Sequence, residues 1–355
     1  MTETTTGGAT TPGSEHSGGP PEYVASALKT HRYLRLSLVF AVVALLIGVT
    51  IASLAGGYVK GSISYYYWTP ARNVFVGVLI AASLAMLVLN GRGGAAAFRL
   101  LGWKITLPSP STLLDLAAVF GPLIAIVPTD MKKIEQGLTT FTCDVGEVEC
   151  LPKAALPDVQ NGVLTYMIIV TVAVVVMWLI RDKKSAREPF ARLVPVTALV
   201  TAAAMGVLTF WLNGTFPYIR IGDWSISIHY IATFLFFASF AAVVFIRGFR
   251  DADPEDQHKA TPLQKRWYMW LAGLMALDMA FLVSLSFFAW FGVQDLLPGV
   301  PEVLLGEAFG LILFAVFWGI QTNQRWDEVI TTVAPGRPAA AQPEAQLTPA
   351  GGVTI

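Results

Sequence analysis

Eight apolar runs dominate this 355-residue chain: residues 36–54, 71–89, 113–127, 163–180, 193–212, 226–246, 268–291 and 303–320. A helix crossing a bilayer needs about 20 apolar residues, so seven of the runs are long enough, and the third, held between Pro110 and Pro128, is the marginal one. No water-soluble domain buries so many such runs. The charge content agrees: 14% of residues are charged and 54% hydrophobic, where soluble domains carry about a quarter charged residues. The expected fold is an all-α integral membrane bundle of about eight transmembrane helices over residues 34–321. Residues 1–33 are rich in Thr, Gly, Ser and Pro, and residues 322–355 in Ala, Pro and Gly, a composition that cannot bury enough apolar surface to order itself. Both are expected to be disordered cytoplasmic tails. The first 22 residues have no apolar core, so the first helix is expected to act as the targeting signal. A formal net charge of +0 and the lack of a basic run give no footing for a nucleic-acid partner.

Basic residues set the orientation. With the N-terminus inside, 18 of the 24 Lys and Arg fall on the cytoplasmic side, as expected where cytoplasmic loops retain positive charge. Both termini are then cytoplasmic in a multi-pass cell-membrane protein. The two cysteines, Cys143 and Cys150, both lie in the loop 128–161, which the same argument places outside. A disulfide closing a short hairpin is compatible with that compartment. A metal site there is not expected, because no histidine lies nearby and two thiolates leave a tetrahedral shell incomplete.

The connection between the first two runs is unlike the others. Residues 61–77 read GSISYYYWTPARNVFVG, placing Ser62, Ser64, Tyr65, Tyr66, Tyr67, Thr69 and Arg72 within eleven residues. One reading is an interfacial aromatic belt. The other is a polar vestibule, with Arg72 as an anion clamp. Thr129, Asp130, Arg220, Asp223, His229 and Glu307 reach the same face by the charge argument. Together they would rim an outward-facing cup fit for a lipid headgroup or a small polar solute.

Ionisable residues inside spans are costly and therefore informative. Asp278 sits about ten residues into the seventh run, near mid-membrane at 1.5 Å per residue, and should be neutral or paired with another helix. Asp115 reads as a carboxylate favoured by a helix N-terminus, with Ser111 and Thr112 as caps. His229 reads either as an interfacial histidine bonded to backbone or as a member of the cup. Ser62-Ile63-Ser64 recurs as Ser225-Ile226-Ser227, and Asp115 falls on Asp278 at the same offset of 163 residues. A parallel duplication of that kind would divide the bundle into two four-helix halves.

The run S-I-S-x-Y-Y from Ser62 to Tyr67, then R-x-x-F-V-G from Arg72 to Gly77, resembles a motif of a widespread family of uncharacterised bacterial multi-spanning proteins. Ala125, Pro128 and Thr129, then His229, Phe236 and Phe237, follow in the same order, with Thr233 where the family pattern has Ala. The resemblance implies an arrangement of polar groups and no particular reaction.

Three classes compete for the function. A lipid-binding, solute-binding or accessory envelope protein uses the aromatic belt, cup and disulfide directly, with membrane lipids, other membrane proteins or a second copy as partners. A transporter or channel would use Asp278. A membrane lipid hydrolase would use Ser64 as nucleophile and His229 as base. A ceramidase-like zinc site needs three histidines within the membrane domain, and of His16, His31, His229 and His258 only His229 lies in a span. The expectation is a protein without catalytic residues, metal or cofactor.

Overall fold

The computed structural model describes residues 22–89, 96–100, 103–132, 149–180, 190, 192–212, 216–221, 224–249, 259–290, 297 and 299–326. Each of the eight apolar runs is a helix: α1 (Glu22–Leu54), α2 (Arg72–Val88), α3 (Pro110–Ile126), α4 (Leu156–Leu179), α5 (Leu193–Gly206), α6 (Ile228–Phe249), α7 (Pro262–Trp290) and α8 (Glu302–Gln324). Six are long and apolar enough to cross a membrane, α5 with its π-helical extension Val207–Trp211 included. The helices α2 and α3 have 17 residues each, about 26 Å at 1.5 Å per residue. Three antiparallel hairpins fill connections: β1 (Ala96–Leu100) with β2 (Trp103–Leu107), β3 (Met131–Lys132) with β4 (Glu149–Cys150), and β5 (Tyr218–Ile221) with β6 (Trp224–Ser227). Cys150 stands opposite Met131 in the second pair. Cys143 lies outside the described residues, and the expected bond to Cys150 with it.

Helix ends follow local chemistry more than hydropathy. The boundary expected at residue 34 falls inside α1, which starts at Glu22 because Glu22–Arg32 has neither Gly nor Pro and continues the helix without being apolar. The α3 cap is Ser109, whose side chain accepts from the Thr112 amide at 3.1 Å, in place of the expected Ser111 and Thr112. Pro110 decides this: fixed in φ and lacking an N–H, it suits the first helical position. The start of α7 carries a reciprocal capping box, with the Thr261 amide donating to Gln264 Oε1 at 2.9 Å and the Gln264 amide to Thr261 Oγ1 at 3.2 Å.

Residues Tyr33–Trp326 form one compact unit. Within it, α3 packs between α2 and α6, α6 also packs on α7, α7 on α8, and α4 on α5. Close approach of α3 to α2 depends on Gly121, where a Cβ would lie 2.1 Å from Ser83 Oγ. Between α6 and α8 the interior is aromatic: the Phe240 ring lies 4.5 Å from Phe314 and 5.1 Å from Phe317. The outward faces of α4 and α5 expose Ile168, Ile169, Val172, Val196 and Val200. Such contiguous apolar surface is solvated by lipid and not by water.

Polar side chains gather at two ends of this unit. One end holds the α1–α2 connection, the end of α3 and the starts of α6 and α8, and we call it the serine end. At the opposite, arginine end, Arg35 donates to the Arg325 carbonyl at 3.0 Å. Beside it, the Tyr268 hydroxyl donates to Gln324 Oε1 at 2.6 Å and accepts from Gln321 Nε2 at 3.2 Å.

Candidate functional site

The α1–α2 connection forms the floor of the serine end. After α1, Gly57 takes a left-handed backbone, φ 70°, that side chains resist, and the chain turns back toward the bundle. Ser64–Trp68 then forms a 3-10 turn in which all five residues are buried. Thr69 closes the turn by donating to the Tyr66 carbonyl at 2.8 Å and accepting from the Ala71 amide at 3.2 Å, which leads into α2. A backbone bond from Leu304 to the Gly61 carbonyl, 2.9 Å, pins this connection to the first turn of α8. Glu307 follows one turn later and meets it side-on.

The carboxylate of Glu307 is the hub. Its Oε2 accepts from Ser62 Oγ at 2.7 Å and from the Ile63 amide at 2.5 Å, with the Ser64 amide at 3.4 Å. Its Oε1 lies 2.8 Å from Ser64 Oγ. The same hydroxyl lies 3.0 Å from His229 Nε2, while His229 Nδ1 lies 2.8 Å from the Val127 carbonyl at the end of α3. Asp130, also buried, is near enough to act electrostatically on His229. Trp68 donates its indole N–H to the Thr129 carbonyl at 3.0 Å, tying the 3-10 turn to the same α3–α4 connection. Tyr66 is hydrogen-bonded to Ser53 of α1.

A second layer surrounds Tyr67. Arg72 donates to its hydroxyl at 2.7 Å, lies 4.4 Å over its ring, and pairs with Asp158 of α4 at 3.3 Å. Burial pushes the Tyr67 hydroxyl above its ordinary pKa, with Arg72 pulling the other way. The Arg72 and Asp158 side chains are 29% and 61% exposed, so this pair is the wet edge of the site.

Ser62, Ser64, Tyr67, His229 and Glu307, expected at the cup, therefore converge, but the described residues enclose no open vestibule: Ser64 is 5% exposed and His229 1%. Hydroxyls, imidazole and carboxylate satisfy one another, and tyrosine and tryptophan rings fill the remaining space. Tyr65 is buried in the same turn. Asp223 and the Arg220 side chain lie outside the described residues. Asp278 sits beside the cluster and outside it, 9% exposed and turned to α8, where a Cβ at Gly310 would come within 2.9 Å of Oδ2. Among the described residues it has no hydrogen-bond partner, and the charge nearest in effect is that of Glu307. Asp115, half-buried in the second turn of α3, joins neither group.

Four contributors escaped the sequence reading: Ser53, Asp158, the Val127 carbonyl, and the glycines flanking Glu307. Only the last had a readable signal, since Gly306 and Gly310 make a small-xxx-small spacing of the kind that lets membrane helices approach closely.

Chemically, a serine 3.0 Å from an imidazole is the spacing of a nucleophile and its base. The third partner differs from that of a hydrolytic triad, because Glu307 contacts the serine and a backbone carbonyl orients the histidine. Among the described residues no three His, Cys, Asp or Glu side chains gather as they would around a metal ion. Comparison with protein-family models, curated proteins and solved structures gives no match. The motif resemblance of Ser62–Gly77 accordingly carries no family assignment.

Proposed function

We propose that this is a multi-pass cell-membrane protein with eight crossings and cytoplasmic termini, whose serine end faces outward and binds a lipid headgroup or small polar solute. One observation carries the proposal. Three segments far apart in sequence bring Ser64, His229 and Glu307 into one buried hydrogen-bonded chain, with Ser64 between the other two. Burying ionisable groups is expensive, and a merely structural cap is served by neutral groups. Arg72, partly exposed at the edge, is the group through which an anionic headgroup would first engage. The short helices α2 and α3 would cross where the bilayer is thin or the flanking side chains reach the interface.

The test is the ligand content of the purified chain. Mass spectrometry of lipids and solutes retained after detergent exchange should find a species at near-stoichiometric level in the wild type and at least tenfold less in His229→Asn, with folding retained. Equal content in both proteins would remove the proposal. Orientation is checked separately: an impermeant thiol reagent should reach Cys143 and Cys150 in intact cells, and only after reduction if the disulfide forms. Labelling confined to inverted vesicles would reverse the topology.

A second reading, solute transport through Asp278, is favoured by that carboxylate's burial against Gly306 and Gly310 without a hydrogen-bond partner among the described residues. Loss of uptake in Asp278→Asn proteoliposomes at unchanged thermal stability would put transport ahead of binding. No flux in either protein would leave Asp278 as a packing residue.

A further inference from the structure

We propose that Glu307, Ser64 and His229 form a buried proton-binding site, which holds one shared proton and passes it between carboxylate and imidazole through the serine hydroxyl. The assignment comes from counting donors. His229 Nδ1 lies 2.8 Å from the Val127 carbonyl, which can only accept, so Nδ1 carries a hydrogen. Nε2 lies 3.0 Å from Ser64 Oγ, and Oγ lies 2.8 Å from Glu307 Oε1. Ser64 has a single hydroxyl hydrogen for these two contacts. With Glu307 ionised and His229 neutral, that hydrogen bridges one contact and leaves lone pairs facing each other across the other. Burial of Ser64 and His229 makes that conflict expensive.

One additional proton resolves it, and has two places to sit. On Glu307 Oε1 it donates to Ser64 Oγ, whose own hydrogen donates to Nε2. On Nε2 it donates to Ser64 Oγ, whose hydrogen then donates to an ionised Oε1. The acid form uses Oε1 and not Oε2, because Oε2 already accepts from Ser62 Oγ and the Ile63 amide. Passage between the two forms balances. The Oε1–H bond breaks as a new bond to Oγ forms, the original Oγ–H bond breaks as Nε2–H forms, and net charge is unchanged while the Ser64 hydroxyl reverses.

Charged and titratable groups face both ends of this relay. Asp130, buried in the α3–α4 connection, faces the imidazole end. Asp278 of α7 stands beside the carboxylate end, against Gly306 and Gly310 of α8. Lys60 is buried two residues before Ser62 in the α1–α2 connection. The contacts are all internal to the protein, so the shared proton exists whether or not the cluster takes a ligand.

The experiment uses the full chain in nanodiscs, with glutamate ¹³C-labelled at the side-chain carboxyl and histidine ¹⁵N-labelled. Infrared spectroscopy reads a label-sensitive carboxylic-acid C=O band, and ¹⁵N NMR reads His229, assigned by the signal missing in His229→Asn. The expected result near neutral pH is one proton across the pair: an acid band with Nδ1-protonated neutral His229, or no band with doubly protonated His229, or a mixture summing to one. The acid band should vanish in Glu307→Gln, which can still donate to Ser64 and so keeps the neutral arrangement. Should that variant not fold, Ser64→Ala assigns the band by removing the hydrogen-bond partner of Glu307 Oε1 and shifting the C=O band to higher frequency. A band that Ser64→Ala leaves in place belongs to another glutamate and counts against the proposal. Neutral His229 without any labelled acid band, or both groups protonated together, overturns it.

Discussion

The two polar ends of the helical unit solve different problems. At the arginine end, a permanent cation, Arg35, meets a carbonyl at the C-terminal end of α8, and neutral Tyr268, Gln321 and Gln324 bond one another. A cation at a helix C-terminus is favoured by the peptide dipoles and needs no proton exchange. At the serine end, a carboxylate and an imidazole lie buried in one hydrogen-bonded chain through Ser64. The first arrangement is what stability asks for. The second spends stability on groups whose protons can move, and that contrast is the physical ground for placing function at the serine end.

Mutation can break the comparison. The largest effect is expected from Glu307→Ala, which strands the Ser62 and Ser64 hydroxyls and the Ile63 amide and should cost about 3–5 kcal/mol in reversible unfolding in detergent. A loss below about 1 kcal/mol would show the hub to be dispensable for folding. Next comes Gly310→Ala, whose Cβ would meet Asp278 Oδ2 at 2.9 Å; it should cost about 1–3 kcal/mol. Gly77→Ala, with open space where its Cβ would stand, is its control and should be neutral or mildly stabilising. Arg35→Ala at the arginine end should cost about 1–2 kcal/mol and leave retained ligand untouched. A smaller loss belongs to Arg72→Ala, under about 1 kcal/mol because its partner Asp158 is largely exposed. Arg72→Ala should nonetheless lower bound-lipid content more than Arg99→Ala does, and equal effects would make Arg72 an ordinary interface anchor.

Hydropathy located all eight helices, because an apolar run of that length has few other states available to it. It missed where helices begin, since Glu22–Arg32 and Leu156–Gln160 are helical without being uniformly apolar. Residue type picked out Ser62, Ser64, His229 and Glu307, for each is a costly choice near a membrane. What it could not supply was their mutual contact, nor that the cup is filled. Residues 64 and 229 are brought together by the packing of α3 between α2 and α6, and Val127 enters through a carbonyl that every residue possesses. The internal repeat has no counterpart in the site: Asp115 and Asp278 occupy different surroundings, and Ser225-Ile226-Ser227 lies in β6 where Ser62-Ile63-Ser64 leads into a 3-10 turn.

Helix α8 is fastened at both extremities: its first turns are tied to Gly61 and supply Glu307, and its last carbonyls receive Arg35. Sliding it along its axis by one turn, about 5.4 Å, would rupture both fastenings together. The α5 segment is held otherwise; among the described residues it gives no side-chain hydrogen bond to another helix, and Gly206 lets it lie against Met167 of α4 at the point where its winding loosens. The axial position of α8 is therefore fixed at two levels by polar bonds, whereas α5 is placed by packing against α4 and α3.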